Sequence, residues 1–329
     1  MTARHLIGFA LLAVCGLAAT AAPGHAAQEG KRVAVFVGPT QDKYLGALTR
    51  SFETTATAAG MKVTTFSSPF DPALQAQQLD DAVAQKFDML VVQPISQKAV
   101  VPPLLRAKAA GIPVVLVVVP LEGSSAEELY LTYAGYDDTV VGQMAAEAMV
   151  DALMKSGHAK ANIAIIAGSM DEGKAPLRQK AFVAEMAKHP GFEVVATEDV
   201  KWNPVKAESS TGQLLARYAS KGGLDGIYGM NDTLANAVIE AASAAGAEPG
   251  TNRGSFVVVG GNCQAVGIKN LQGGRMAATV LVLPTEEGKL AAEKVADFFN
   301  GKTLEKAYLL PPQRITKSDL QNVAQPCSY

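Results

Sequence analysis

The sequence predicts an α/β protein of two similar lobes, each built on a doubly wound parallel sheet. Short apolar runs of strand length alternate with helical stretches from end to end, beginning with KRVAVFVG and YLGALTRSFETTATAAG. Such continuously apolar runs are typical of strands buried on both faces of a parallel sheet, and the βαβα order predicts helices on both sides of it. The alternation starts afresh after LYLTYAGYDD, which indicates two domains of ordinary size in a chain of 329 residues.

The two series predict their elements in order. The first has the strands KRVAVFVG, MKVTTF, FDMLVVQP and IPVVLVVVP, with helices between them. The second opens with the helix DTVVGQMAAEAMVDALMK and continues through the strands NIAIIAG, FEVVATED, LDGIYGMN and SFVVVGGN. No long Pro/Gly/Ser linker separates the series, so we expect a tight hinge around Gly135 to Asp137. Glycines stand where helices need a left-handed closing residue: Gly60, Gly111, Gly246 and Gly301.

The first 26 residues have the layout of a secretory signal, with Arg4, an apolar stretch from Leu6 to Ala22 and a small-residue site before Ala26. We expect cleavage after Ala26 or Ala27 and an exported protein. No later stretch reaches the roughly 18 apolar residues of a spanning helix. A net charge of −2 argues against nucleic acid and anionic membranes as partners.

Nothing in the sequence requires catalysis or a cofactor. GSMDEGKA, residues 168–175, approaches a phosphate-binding loop, but Ala175 stands where Ser or Thr would hold Mg²⁺, and Asp171 and Glu172 would repel phosphate. We therefore interpret it as an ordinary strand-to-helix turn. His158 and His189 lie beside apparent helix ends, where a solvated surface role is favoured. Beyond the signal only two cysteines remain, which can form one disulfide or stay as two buried thiols, and which are too few for a structural zinc site.

Polar and aromatic residues follow the predicted strands, at the edge where open α/β sheets collect ligands. Each has a structural alternative: Asn231 could cap a helix, and Trp202 could belong to the core. Their shared position at strand ends nevertheless predicts a ligand-binding cleft. The candidate residues are Asp42, Tyr44, Gln93, Arg178, Trp202, Asn231 and Asn262.

Several segments, in this order and spacing, resemble the ribose-type (type I) periplasmic sugar-binding proteins, the substrate-binding subunits of ABC importers. They include FDMLVVQPISQKAVVPPLLRAKAAGIPVV, LYLTYAGYDDTVVGQMAAEAM, GIYGMNDTLANAVIEA and GGRMAATVLVLPTEEGKLAAEKVADFFNGK. The resemblance implies a monomer with a three-segment hinge that captures a small sugar or polyol and delivers it to an inner-membrane ABC permease. The alternative is a periplasmic sensing subunit that presents the ligand to a receptor kinase or chemoreceptor. The resemblance also implies an N-terminal lobe of residues 28–136 and 283–311, and a C-terminal lobe of residues 137–282 and 312–329.

Position by position, the resemblance implies sugar-stacking rings at Tyr44 and Trp202, and hydroxyl-binding groups at the other five candidates. It also implies a disulfide between Cys263 and Cys327, because the family tail returns to the second lobe. Three departures follow: Val118 and Val119 replace an Asp-Arg pair, Asn262 replaces an aspartate, and Val282 replaces a glutamine. A buried hydroxyl left without a partner costs about 1–3 kcal/mol. A smaller polyol, a deoxy sugar or a less polar ligand therefore suits this cleft best.

Overall fold

The first lobe contains a parallel sheet of six strands. The computed structural model describes residues 27–123, 125–323, 327 and 329, so the predicted signal at 1–26 lies outside the described residues. Five of the strands alternate with three helices early in the chain, and the sixth comes late. In chain order these elements are β1 (Arg32–Val37), α1 (Lys43–Ala58), β2 (Lys62–Ser67), α2 (Pro72–Ala84), β3 (Met89–Val92), α3 (Val101–Ala109), β4 (Val114–Val117) and β5 (Thr132–Gly135), with a short 3-10 helix at Glu127–Leu129.

The second lobe repeats the architecture around a sheet of four parallel strands. The remaining elements are α4 (Asp138–Lys155), β6 (Ala161–Ala167), α5 (Lys174–Met186), β7 (Phe192–Asp199), α6 (Pro204–Tyr218), β8 (Gly226–Gly229), α7 (Asp232–Ala244), β9 (Val257–Val259), α8 (Ala265–Gln272), β10 (Thr279–Leu281), α9 (Pro284–Phe299), β11 (Ala307–Leu309), β12 (Gln313–Ile315) and α10 (Leu320–Val323).

Strand order confirms the predicted doubly wound arrangement. The first sheet runs β11-β5-β4-β3-β1-β2 and the second runs β7-β6-β8-β9, with every pairing parallel. Central strands such as β3 and β4 are wholly buried. The edge strands β2 and β7 are partly exposed, because each has a neighbouring strand on one side only. The four helix-closing glycines all have φ between 71° and 86°.

The chain passes between the two sheets three times, after β5, after β10 and after β11. The first passage lies at the predicted hinge, where Asp137 caps α4 by accepting from the Thr139 amide at 2.8 Å. β10 and β12 form an antiparallel pair beside the second sheet. We propose residues 28–136 with 283–311, and 137–282 with 312–329, as the limits of the two lobes.

One apolar cluster is continuous across both lobes, joining Leu48 and Val91 on the first side to Met149 and Phe182 on the second. The lobes are therefore packed against each other in this structure. None of the helices in the described part of the chain is long and apolar enough to span a membrane.

Candidate functional site

The carboxyl ends of the strands of both sheets border a cavity between the lobes. Six of the seven residues predicted from the sequence line it, and five further residues complete its wall. The lining residues are Asp42, Tyr44, Leu45, Phe70, Gln93, Val118, Glu172, Lys174, Trp202, Asn231 and Asn262.

On the first lobe, Tyr44 and Asp42 are positioned by the start of α1. Asp42 caps this helix by accepting from the Leu45 amide at 3.0 Å, and burial raises the pKa of its carboxyl. Tyr44 donates its hydroxyl to Glu287 Oε2 at 2.5 Å, which fixes the ring at the cavity wall. Gln93 accepts from the Gly38 amide at 2.9 Å, so its Oε1 is engaged and its Nε2 remains for a ligand.

On the second lobe, Trp202 forms a wall and does not belong to the core alone. Its indole lies flat against Gly168, where any Cβ would overlap the ring, so only glycine permits this position. Nε1 of Trp202 donates to Glu172 Oε1 at 2.9 Å. Asn231 does cap α7, accepting from the Leu234 amide at 2.8 Å, and it also lines the cavity. The capping role and the position at the site therefore coexist.

Arg178 does not line the cavity but lies directly behind Asn262, with no exposed surface. Its Nε donates to Asp138 Oδ1 at 2.8 Å, and its Nη1 donates to the Met230 carbonyl at 2.7 Å and to Asn262 Oδ1 at 3.2 Å. Nη2 has no partner among the described residues, and neither do the nearby Asp138 Oδ2 and Tyr228 hydroxyl. An unpartnered buried polar group costs about 1–3 kcal/mol, so these atoms are ready to bind a ligand or water.

Arg178 does not form a surface ion pair with the acidic residues of the preceding loop. Pairing with Asp171 or Glu172 is not observed, because α4 packs against α5 and supplies the buried carboxylate of Asp138 instead. Asp171 pairs with Lys201 at the surface, at 2.6 Å.

The sequence interpretation missed Glu172 and Lys174. GSMDEGKA is a strand-to-helix turn between β6 and α5, as expected, but it is not an ordinary one, because both side chains are buried in the cavity wall. Burial raises the pKa of Glu172 to about 7. The ammonium of Lys174 stands 4.9 Å from the centre of the Tyr44 ring. The available signal was a carboxylate and an ammonium placed directly after a buried strand.

Backbone strain is concentrated at this cavity. Four lining residues that are not glycine have positive φ, namely Phe70 at 52°, Val118 at 66°, Trp202 at 58° and Asn262 at 78°. The conformation is most costly for a β-branched residue, and Val118 is held in it by a hydrogen bond from its amide to Glu287 Oε1 at 2.8 Å. Non-glycine residues in strained conformations cluster at functional sites, which supports a ligand-binding role for the cavity.

Cys263 and Cys327 form a disulfide, with Cα atoms 5.1 Å apart. The bridge brings Tyr329 to the back of the cleft, where its hydroxyl donates to the carbonyls of Asn262 and Val282, the latter at 3.2 Å. Its ring packs edge-on against Tyr44, with centroids 6.2 Å apart. The tail thus contributes to the wall between the lobes.

Two doubly wound lobes, joined by three passages and closed over a cavity at their strand ends, define the type I periplasmic binding protein fold. The chain belongs to the periplasmic binding protein domain family, whose pattern it matches over residues 33–303.

Relatives show the same likeness over most of their length. The chain is 23% identical over 279 residues to the ribose import binding protein of Bacillus subtilis, covering 85% of each. It is 26% identical over 249 residues to the xylitol-binding protein of Mycolicibacterium smegmatis, covering 75% of this chain and 66% of that protein. The structure of an ABC transporter solute-binding protein from Agrobacterium vitis, bound with α-D-tagatopyranose, superimposes with a TM-score of 0.80 at 25% identity, covering 91% and 99% of the two chains.

Proposed function

We propose that this protein captures a small neutral sugar or polyol between its lobes in the periplasm and delivers it to an ABC permease as a monomeric, non-catalytic binding subunit. The observation that carries the proposal is the interlobe cavity, whose lining combines two aromatic side chains with amide, carboxylate and ammonium groups. Relatives named for ribose and xylitol, and a similar structure bound with tagatose, support the same ligand class.

The chemistry of the wall suits a polyhydroxylated molecule. Tyr44 and Trp202 offer ring faces on which the apolar C–H face of a sugar can stack. Amides of Gln93, Asn231 and Asn262 can bind hydroxyl groups, and Arg178, behind the wall, holds the Asn262 amide through Nη1. These groups are held in place by helix caps and by the buried ion pair, so little ordering is needed when a ligand binds.

The ligand is smaller or less polar than a full pyranose. Val118 lines the cavity where a polar partner would otherwise meet a hydroxyl, and Val119 beside it is wholly buried. A hydroxyl facing this corner would lose its hydrogen bonds to water without replacement. A short polyol or a deoxy sugar avoids that loss.

Ligand capture requires the lobes to open and close about the three passages of the chain. In the closed arrangement, Gln97 of the first lobe donates through Nε2 to the Glu172 carbonyl at 2.8 Å, and through its amide to the Asp171 carbonyl at 3.2 Å. A ligand that contacts both walls adds further interactions to the closed state alone, and so shifts the population toward it. A permease can then distinguish the loaded protein by the surface that closure presents.

A thermal-shift screen against neutral sugars and polyols tests this proposal. A ligand present at one hundred times its dissociation constant should stabilise the folded protein by about 2.7 kcal/mol. Delivery is tested with an ABC permease encoded by the neighbouring genes. Ligand-loaded protein should stimulate ATP hydrolysis by that importer, and ligand-free protein should not. Absence of any stabilising sugar or polyol would contradict the proposal.

A further inference from the structure

The loop of residues 168–173, between β6 and α5, is docked against the first lobe and not only against its own. Gln97 donates to two of its carbonyls, those of Asp171 and Glu172. Gly173 has φ 106°, and a Cβ there would meet both Gln97 and Val119. This close approach holds the side chains of Glu172 and Lys174 in the cavity wall.

Lys174 presents to the cavity an ammonium that has no acceptor among the described residues. Its side chain is only 7% exposed, and its Nζ forms no hydrogen bond or ion pair with any residue that the structure describes. Its nearest polarisable neighbour is the Tyr44 ring at 4.9 Å, and the carboxylates of Asp42, Glu172 and Glu287 act on it only at longer range. An ammonium has three donors, and burying them without acceptors is unfavourable. An oxygen of a ligand would supply the missing acceptor.

Glu172 presents the complementary group. Its side chain is 1% exposed, and its Oε1 accepts from Trp202 Nε1 at 2.9 Å. Its Oε2 has no donor among the described residues. The site therefore places a free acceptor and a free donor two residues apart on the same wall.

The mixture of charges selects against charged ligands. An anion would meet the carboxylates of Asp42 and Glu172, and a cation would meet the ammonium of Lys174, with Arg178 behind it. A hydroxyl group donates and accepts, so neighbouring hydroxyls can satisfy the carboxylate and the ammonium together. Neutral compounds with adjacent hydroxyls meet both requirements.

We propose that Glu172 and Lys174 bind adjacent hydroxyl groups of a neutral polyhydroxylated ligand and determine the specificity of the cleft. This inference rests on the proposed function. Lys174 donates to one ligand oxygen, and Glu172 accepts a hydrogen bond from the next hydroxyl. The two side chains supply polar contacts from the second lobe, while the Val118 side of the cavity stays apolar. Because the loop that carries Glu172, directly before Lys174, docks on Gln97 of the first lobe, we expect these contacts to be complete only when the cleft is closed.

The test is a calorimetric titration of xylitol, D-ribose, D-allose and D-tagatose, with D-glucosamine and D-gluconate as charged probes. Lys174→Met should weaken binding of the tightest neutral compound about tenfold to a hundredfold, because a charge-assisted hydrogen bond is lost. Glu172→Gln should weaken it about threefold to tenfold, since a neutral amide oxygen is a weaker acceptor. Asp171→Asn, on the same loop, and Lys180→Met, on the exposed side of α5, are matched controls and should stay within twofold. Thermal unfolding confirms that each variant is folded.

Deoxy analogues of the tightest neutral compound separate direct contact from an effect on closure. If Lys174 binds one hydroxyl, removing that hydroxyl from the ligand and replacing Lys174 in the protein affect the same contact. Both changes together should then lower the binding free energy no more than either change alone. Removal of a different hydroxyl should show the same non-additive loss of binding free energy with Glu172→Gln. Penalties that add at every position would show that these residues act only on closure, and would overturn the inference.

The other outcomes are equally decisive. Parent-like affinity in both variants would overturn the assignment of Glu172 and Lys174 while the proposed function stands. Tighter binding of glucosamine or gluconate than of any neutral compound would overturn the neutral ligand class. Absence of binding by the parent protein to every compound would contradict the proposed function itself, and this inference with it.

Discussion

Replacing Arg178 by alanine is expected to weaken ligand binding by about 2–4 kcal/mol, a factor of roughly 30 to 1,000. Arg178 does not line the cavity, so this loss requires one ligand oxygen to reach Nη2 past the Asn262 amide, in a charge-assisted hydrogen bond worth about 1.5–3 kcal/mol. Nη1 contributes indirectly, because it binds Asn262 Oδ1 at 3.2 Å and so orients an amide that lines the cavity. Both effects are lost with the guanidinium.

The same substitution also affects stability, which must be separated from affinity. The side chain of Asp138 is 1% exposed and accepts from Arg178 Nε at 2.8 Å. Removing its partner leaves a buried charge uncompensated, at a cost of about 3–5 kcal/mol. Arg178→Lys keeps a cation near Asp138 but loses the planar fork, so it should recover only part of the affinity. Arg178→Ala combined with Asp138→Asn should regain stability without regaining affinity.

Thermal unfolding identifies the variants that remain folded, and isothermal titration calorimetry on those gives their affinity for the tightest sugar or polyol. Affinity of folded Arg178→Ala within threefold of the parent would refute a ligand role for Arg178.

Three further predictions concern the cleft wall and the tail. Saturating ligand should change the fluorescence of Trp202, the sole tryptophan, and unchanged emission with binding confirmed by calorimetry would place the ligand elsewhere. Protein purified from the periplasm should contain the Cys263–Cys327 bridge, worth about 4 kcal/mol in the chain-entropy model, and two alkylatable thiols in non-reducing peptide mass spectrometry would contradict it. Burial raises the pKa of Glu172 from 4.5 to about 7, so its favourable contribution to stability is present below about pH 4.5 and lost as the pH rises through 7. Thermal stability should therefore decline over this range less in Glu172→Gln than in the parent, with the remainder due to Asp42, Asp232 and Glu287, whose pKa values burial also raises; equal slopes would contradict this.

Local sequence patterns were sufficient for the fold. Strands β3 and β4 are wholly buried, and their uninterrupted apolar runs reflect helices on both faces. Glycine at the ends of α1 and α9, where Gly60 and Gly301 have φ near 80°, follows from the conformation that ends a helix. Six cavity residues could likewise be predicted, because strand ends determine where their side chains meet.

The remaining features depend on tertiary contacts that local patterns do not encode. Glu172 and Lys174 enter the cavity because their loop docks on Gln97, a residue more than seventy positions earlier. Arg178 turns toward Asp138 because α4 packs on α5. Tyr329 reaches the cleft because the disulfide fixes the tail to the second lobe. Each contact joins segments that are remote in sequence.

The central claim is that one small neutral sugar or polyol binds between the two lobes. Calorimetric titration of the parent protein with the strongest compound from the thermal-shift screen tests this claim most directly. We expect saturable heat with one site per chain for a neutral polyhydroxylated compound. If no neutral sugar or polyol gave binding heat at any of several temperatures, binding of such a ligand between the lobes would be contradicted. Saturable heat for a charged compound alone would contradict it as well.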